Sequence, residues 1–427
     1  MAYNQHIPTV PLPQGLALLL LLIAVQTAAQ NVTSPYSNLG IGDIDNKDFS
    51  RYAASGSAAL SRRNEVSYNF SNPASLTSLG EKVVNLEFML RGRSSVFRMN
   101  AADTSTAASK DLTIKRISLS FRPSARTGFA FGLRPYSSVN YQYQLSGVVY
   151  SDGTAGYSRT VEGDGGINQA YGSFSYALGK RFSAGVTGSF LFGNTTRKTS
   201  YTDPLLNLDI TKKEYSYYNG AALQTGFQYY TPAQRKWQHT IGLTATTGTR
   251  LKGYSKTEYL NVDTAFLTNS NGSAVFNMPL SAGIGYTLSN REGLSLSIEG
   301  DYYHWSKQAI NYSNSYTAPS VRLGAGWEYA KREQYLTSGG ASYEKYYLAM
   351  GVTAQNSYYL LAGNHVWDYS ATLGGGYNVA RNLYMHGGLE FGIRGSNKAG
   401  QIREQYTQFT LGLTIRDIWF RAKQAGN

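Results

Sequence analysis

The chain has 427 residues, enough for two ordinary soluble domains or one large barrel. Only 15% of them are Asp, Glu, Lys or Arg while 13% are aromatic, with 35 tyrosines and 45 glycines, a charge-poor balance that suits a surface apolar on one side only. The absence of cysteine excludes disulfides, thiolate metal sites, a cysteine nucleophile and lipid-modified cysteine; the net charge of +13 is scattered, with no Lys/Arg block interleaved with stacking aromatics, so no nucleic-acid partner is expected.

In chain order, the first feature is the apolar run Leu16 to Val25 ("LALLLLLIAV") followed by "QTAAQ". About ten apolar residues are too few to span a bilayer and fit the core of a secretory signal. Small residues at Thr27 and Ala29 place cleavage before Gln30, although residues 1–15 lack the usual Lys or Arg. A signal peptide is therefore expected over 1–29. Residues 30–81 follow, containing "AASGSAALSR" and then "VSYNFSNPASLTSLG". They have too many turn formers for a core helix and no clean alternation for a strand. Their Gly and Ala allow close packing, and their Tyr, Phe and Leu are more than a loose tail needs.

From residue 82 one pattern recurs: short segments with apolar residues at every second position. In "VVNLEFMLRG", Val84, Leu86, Phe88 and Leu90 oppose Asn85, Glu87, Met89 and Arg91. In "GLSLSIEGDYY", Leu294, Leu296, Ile298 and Tyr302 oppose Ser295, Ser297, Glu299 and Asp301, and in "LYMHGGLEFGI" Leu389, Phe391 and Ile393 oppose His386 and Glu390. A period of two means strand, and charges on the second face mean that this face is no dry core. About fourteen such segments start near residues 83, 112, 128, 168, 182, 219, 238, 278, 293, 319, 345, 369, 383 and 406. Short connectors ("LGKRF", "LSNREG", "NVARN") alternate with long polar ones near 93–111, 144–167, 193–217, 250–276, 304–318, 354–367 and 394–405. The connector "AKREQYLTSGGASYEKY", around 330–346, is longer than its class predicts.

Alternating turn lengths, an even strand count and apolar/polar alternation describe an all-β, transmembrane antiparallel barrel of about fourteen strands in a Gram-negative outer membrane, closed because a bilayer forbids open edges. The expected organisation is signal 1–29, a lumenal plug (hatch) 30–81, barrel 82–421 and a tail 422–427, with both termini periplasmic. Tyr302, Tyr303, Trp305, Tyr329, Trp367, Tyr369 and Trp419 are expected in the interfacial girdles.

On three features the chain resembles the FadL-type (FadL/TodX-like) outer-membrane transport family: "AASGSAALSR", then "NFSNPASLTSL", then the fourteen-strand pattern. Asn72, Pro73 and Ala74 match that family's N-terminal hatch motif. The resemblance implies that the motif lies against a kink in strand three, through which hydrophobic ligands leave sideways into the bilayer. Strand three here reads "TGFAFGLRPYSSVNYQY". Independently of the resemblance, Pro135 lacks the N–H a ladder needs and Gly132 weakens pairing, so a break is expected there. Arg134 and Tyr136 flank it on the lumen face, where a cation could meet a carboxylate or pair with lumen acids such as Glu87, Glu299, Asp301 and Glu390.

Catalytic chemistry is not expected. His239, His304, His365 and His386 fall on separate segments without metal-ligand spacing, and no GxSxG elbow occurs. "DIDNKD" (Asp43, Asp45, Asp48) lacks the Gly and terminal Glu of a calcium loop and reads as a turn. No metal and no cofactor is expected. Arg159, Arg197, Lys198, Lys212 and Lys213, on the long connectors, are candidates to meet lipopolysaccharide phosphates. Two functions stay open. One is passive uptake of small hydrophobic molecules, long-chain fatty acids by resemblance, through a laterally open barrel. The other is a non-transport subunit or docking platform of a secretion or assembly complex, with outer-membrane protein partners. An apolar pocket running from the loops to the wall would mark the first, a filled lumen the second.

Overall fold

The computed structural model describes residues 34–98, 106–145, 158–203, 208–232, 236–261, 268–310, 315–334, 342–380, 382–397 and 402–418. The expected signal peptide, Trp419 and the tail lie outside them.

Fourteen strands form one closed antiparallel ring. In chain order they are β1 (Val83–Arg98), β2 (Thr106–Phe121), β3 (Thr127–Pro135 and Ser137–Leu145), β4 (Ser158–Ala177), β5 (Phe182–Asp203), β6 (Leu208–Tyr230), β7 (Trp237–Thr246 and Arg250–Asn261), β8 (Thr268–Asn277 and Leu280–Asn290), β9 (Leu294–His304), β10 (Ser320–Gln334), β11 (Ser342–Leu361), β12 (Asn364–Ala380), β13 (Leu383–Arg394) and β14 (Arg403–Ile418). The ring closes where β14 pairs with β1, from Ile418 opposite Val83 to Arg403 opposite Arg98. Closure removes the edges that a bilayer cannot satisfy.

Alternation sets the two faces. On β9, Leu296, Ile298 and Tyr302 are exposed on the outer wall, while Ser297 and Glu299 are buried inside. The same holds on β13 for Leu389, Phe391 and Ile393 against His386 and Glu390. A register shift between Met89 and Leu90 of β1 adds a residue to β2 and turns both Lys115 and Arg116 into the lumen.

Three expectations are corrected. The connectors near 193–217 and 250–276 are largely strand: β5 and β6 run on through them, as do the upper halves of β7 and β8. Outward positions on β5 and β6 change from Phe190, Phe192, Ala221 and Leu223 to Asn194, Thr196, Lys198, Tyr215 and Lys213. A sheet wetted on both faces carries no hydropathy alternation to read. The stacked rings of Tyr217 and Tyr254 (centroids 4.5 Å apart) lie at that change. The long connector near 330–346 shortens for the same reason, since β10 reaches Gln334 and β11 begins at Ser342. Finally, Tyr303 and Trp305 do not join a girdle. Trp305 is buried against Phe276 and Tyr358, and Tyr303 packs on the same inner cluster, whereas Tyr302, Trp367 and Tyr369 face outward.

Residues 34–82 lie within the ring. They form three short 3₁₀ turns (Pro35–Asn38, Arg51–Ser55 and Pro73–Ser78) started by Ser34, Ser50 and Asn72, whose side chains accept the amide two residues on. At one end Tyr36, Leu39 and Ile41 pack with Ile167, Leu191, Phe276, Tyr358 and Tyr359, so an apolar cap closes the lumen beside the extended strands.

Candidate functional site: the filled lumen and the break in β3

Cations from the N-terminal segment reach carboxylates around the wall. Arg51 is bonded by Nε and Nη2 to Glu328 (3.1 and 2.7 Å) and by Nη1 to Glu344 (2.5 Å), and Arg62 meets Glu328 at 2.5 Å. Lys47 meets Glu390 at 2.5 Å and Asp368 at 3.3 Å. The wall also holds the segment through its backbone: Glu299 accepts the amides of Ala59 and Leu60, both at 2.6 Å, and Glu87 accepts that of Tyr68 at 2.8 Å. Glu299 and Asp301 are both bonded to Arg322, and Glu87 to Arg116. The four lumen acids singled out in the sequence are thus committed to the N-terminal segment or to neighbouring cations.

The small residues of "AASGSAAL" are needed for contact. Gly56 has φ +63, and a Cβ built on Gly351 would stand 2.2 Å from its nitrogen. Asn72, Pro73 and Ala74 sit on a second glycine floor. Asn72 Nδ2 donates to the carbonyls of Leu60 (2.9 Å), Phe227 (3.3 Å) and Leu243 (3.4 Å), while a Cβ on Gly226 would lie 2.1 Å from Asn72 Oδ1 and one on Gly185 2.6 Å from the Pro73 carbonyl carbon. The motif therefore faces β5, β6 and β7, not the kink of β3. Only the turn that follows reaches β3, with Leu76 against Gly128.

β3 is divided between Pro135 and Ser137. β2 pairs with β3 only from Ile117–Leu133 to Phe121–Phe129. Pro135 ends the lower half, a Cβ on Gly132 would meet the Tyr171 ring, and among the described residues no residue of Ser137–Leu145 pairs with β2. The freed edge is taken by the N-terminal segment: Asp43 and Ile44 pair with Ser138 and Ser137, Asp45 donates its amide to Tyr136 (2.9 Å), and Ser34 donates its amide to Asn140 (3.1 Å). Arg134 faces the lumen, donates to the Asp45 carbonyl at 2.6 Å and lies over the Phe70 ring. Tyr136, also on the lumen side, lines a cavity of about 160 Å³ between the segment and the wall. That cavity has a mixed lining, with Lys115, Arg116, Arg134, Asp45 and Asp301 beside Leu60, Phe70, Leu191, Met278 and Tyr303.

The acids of "DIDNKD" go to separate partners. Asp43 meets Arg394, Asp45 meets Lys115 (2.5 Å) and Arg91 (3.6 Å), and Asp48 accepts the Ser50 amide. Burial would raise the Asp45 carboxyl, but Lys115 and Arg91 hold it below the ordinary carboxylate range. A depressed folded-state pKa contributes stability above the unfolded value, about 4, and loses it as pH falls through the folded one. The melting temperature of the detergent-solubilised barrel is accordingly expected to drop below about pH 4 less steeply in Asp45→Asn than in the parent; equal slopes would disprove the contribution.

A family model described as BamG matches residues 14–425. The chain belongs to the BamG family. No curated protein matches it. Among solved structures, BamG-family membership is accompanied by likeness to a Pseudomonas aeruginosa FadL homologue (TM-score 0.60, 12% identity, 89% of this chain and 100% of that one). It is also similar to the Pseudomonas putida toluene transporter TodX (0.59, 13%, 89% and 100%) and the Ralstonia pickettii toluene transporter TbuX (0.53, 13%, 87% and 98%). At such identities the likeness shows the fold alone: this BamG-family chain has the FadL-type outer-membrane barrel.

Proposed function

We propose that the barrel is a non-transporting outer-membrane subunit, a docking platform of an assembly complex, whose lumen is kept closed by residues 34–82 acting as a plug. The observation that carries this reading is the filling of the lumen. Arg51 and Arg62 are buried, Lys47 is half-buried, and all three are matched to wall carboxylates; an apolar cap lies at one end, and the cavity beside β3 is small, with charged groups in its lining. A hydrophobic solute would have to displace paired ions, and breaking such a buried pair costs roughly 3–5 kcal/mol. The Bam in the family's name points the same way. With the short turns periplasmic, β14 ends at Ile418 on the periplasmic side. Ser34 and Tyr36, bonded to Asn140 and Ile402, lie at the opposite end, which corrects the expectation of two periplasmic termini for the N-terminal side. The extended β3–β8 walls stand outside the cell, where partner proteins would meet them.

A second reading has its own observation. The interrupted β2–β3 ladder is where small hydrophobic molecules, fatty acids among them, could leave sideways if residues 34–45 moved away. Native mass spectrometry with lipid extraction, on the full chain purified in mild detergent, separates the two. The platform predicts stoichiometric outer-membrane protein partners and no stoichiometric hydrophobe. A bound fatty acid or aromatic hydrocarbon lost in Pro135→Ala, with no protein partner, would replace it by transport. Deleting residues 34–80 is expected to convert a barrel silent in planar bilayers into an ion-conducting pore; equal conductance of both would refute the plug.

A further inference from the structure

We infer that the outer wall from β10 round to β1 carries a binding site for a phosphate-bearing acyl lipid of the outer leaflet. The first observation is electrostatic. Arg98 of β1 and Arg403 of β14 stand directly opposite each other across the ladder that closes the ring. Both point outward, since their neighbours Phe97 and Glu404 are buried on the inner face. Like charges directly opposite each other on paired strands repel. Nearby inward arginines all have carboxylates: Arg91 has Asp111, Arg93 has Glu404 and Arg394 has Asp43. Among the described residues no carboxylate reaches Arg98 or Arg403. Lys110, opposite Ser94 on the same outer face, adds a third exposed cation. Among the described residues the arrangement lacks an anion.

The second observation is shape. Beside Arg98 the wall carries an open trough of about 1070 Å³. Its sides are Val96, Leu323, Val352, Phe391 and Ile393, and small residues at Ala354 and Ala371 leave the trough between them. Phosphates on Arg98 and Arg403 with acyl chains laid in this trough satisfy both observations at once; a free anion would use only the first. The arginines lie at the end opposite the short turns after Phe121, Ala177 and Asn290, which is the outer face of such a barrel. The loop cations that the sequence suggested for this task are partly spent elsewhere, Lys198 on Glu162 and Lys212 on Glu214.

The test titrates the full-length protein in detergent with diphosphoryl lipid A, its dephosphorylated counterpart or inorganic phosphate, counting bound molecules by native mass spectrometry. One diphosphoryl lipid A should persist on the parent, with apparent affinity lowered about tenfold or more in R98Q/R403Q and unchanged in K236Q at the other end of the barrel. Ala371→Trp, which fills the trough without altering charge, should lower it as well and serves if the double variant does not fold. Equal binding of the dephosphorylated lipid, or undiminished binding by R98Q/R403Q or by Ala371→Trp, would overturn the site. Competition by inorganic phosphate at lipid-equivalent concentration would overturn it in favour of a free-anion site.

Discussion

Arg51→Ala is expected to leave a barrel that still assembles but melts earlier and leaks ions. The Arg51 side chain has no exposed surface, carries three hydrogen bonds to Glu328 and Glu344, and lies flat on Tyr347 with its guanidinium 4.0 Å from the ring centre. Burial opposes its charge, yet the two carboxylates keep it firmly protonated. Alanine would leave Glu328 with Arg62 alone and Glu344 with only the Tyr384 hydroxyl, at 2.7 Å. Removing one partner of a buried pair costs roughly 3–5 kcal/mol, because the charge left behind stays buried. The barrel ladders do not depend on Arg51, so the loss falls on the docking of residues 34–82. Planar-bilayer recordings and a thermal melt together check this. Unaltered melting and silent bilayers would mean that the charge pairs hold nothing in place.

Gly351→Leu should have an effect of similar size by a different route. The corner Ala54–Gly56 rests on β10 and β11 so closely that a Cβ on Gly351 would come within 2.2 Å of the Gly56 nitrogen, and one on Gly326 within 2.2 Å of the Ser55 oxygen. Those neighbours are backbone and cannot rotate away. Overpacking of this kind costs about 1–3 kcal/mol before any bond is lost. The bonds next to it then go too, from the Gly56 amide to Thr372 (3.0 Å) and from Thr353 to the Gly56 carbonyl (3.0 Å). Trypsin should cut after Arg51, Arg62 or Arg63 in this variant and not in the parent. Met350→Leu, one residue away but facing outward, should stay resistant. Resistance of Gly351→Leu would show that the contact is looser than its geometry.

The barrel was legible wherever one face meets lipid and the other does not. Leu296 and Ile298 against Ser297 and Glu299 is the alternation that such a wall imposes on its strands. It failed where both faces meet water, so the upper parts of β5 to β8 read as loops. Pro135 announced its break through the missing N–H, but the occupant of that break did not announce itself. Asp43–Asp45 looks like any acidic turn, and its pairing with Ser137 and Ser138 spans some ninety residues of chain. The hatch motif was legible as a turn, since Asn72 caps it, whereas its neighbours Gly185 and Gly226 are known only from the closed ring. Arg98 and Arg403 sit at opposite ends of the barrel sequence, and only register makes them neighbours.

The order in which the chain is made gives its ion pairs a further consequence. Lys47 and Arg51 leave the ribosome long before their partners Glu390 and Glu344, which lie 343 and 293 positions on. Contacts of such sequence separation form slowly, because the loop between them must close before they yield anything. Residues 34–82 have no sheet of their own to rest on, so they have no stable place until the late strands arrive. Closing β14 onto β1 and seating the early segment therefore belong to one late step. A chain stalled before β13 would hold an open sheet and an unseated cationic segment together.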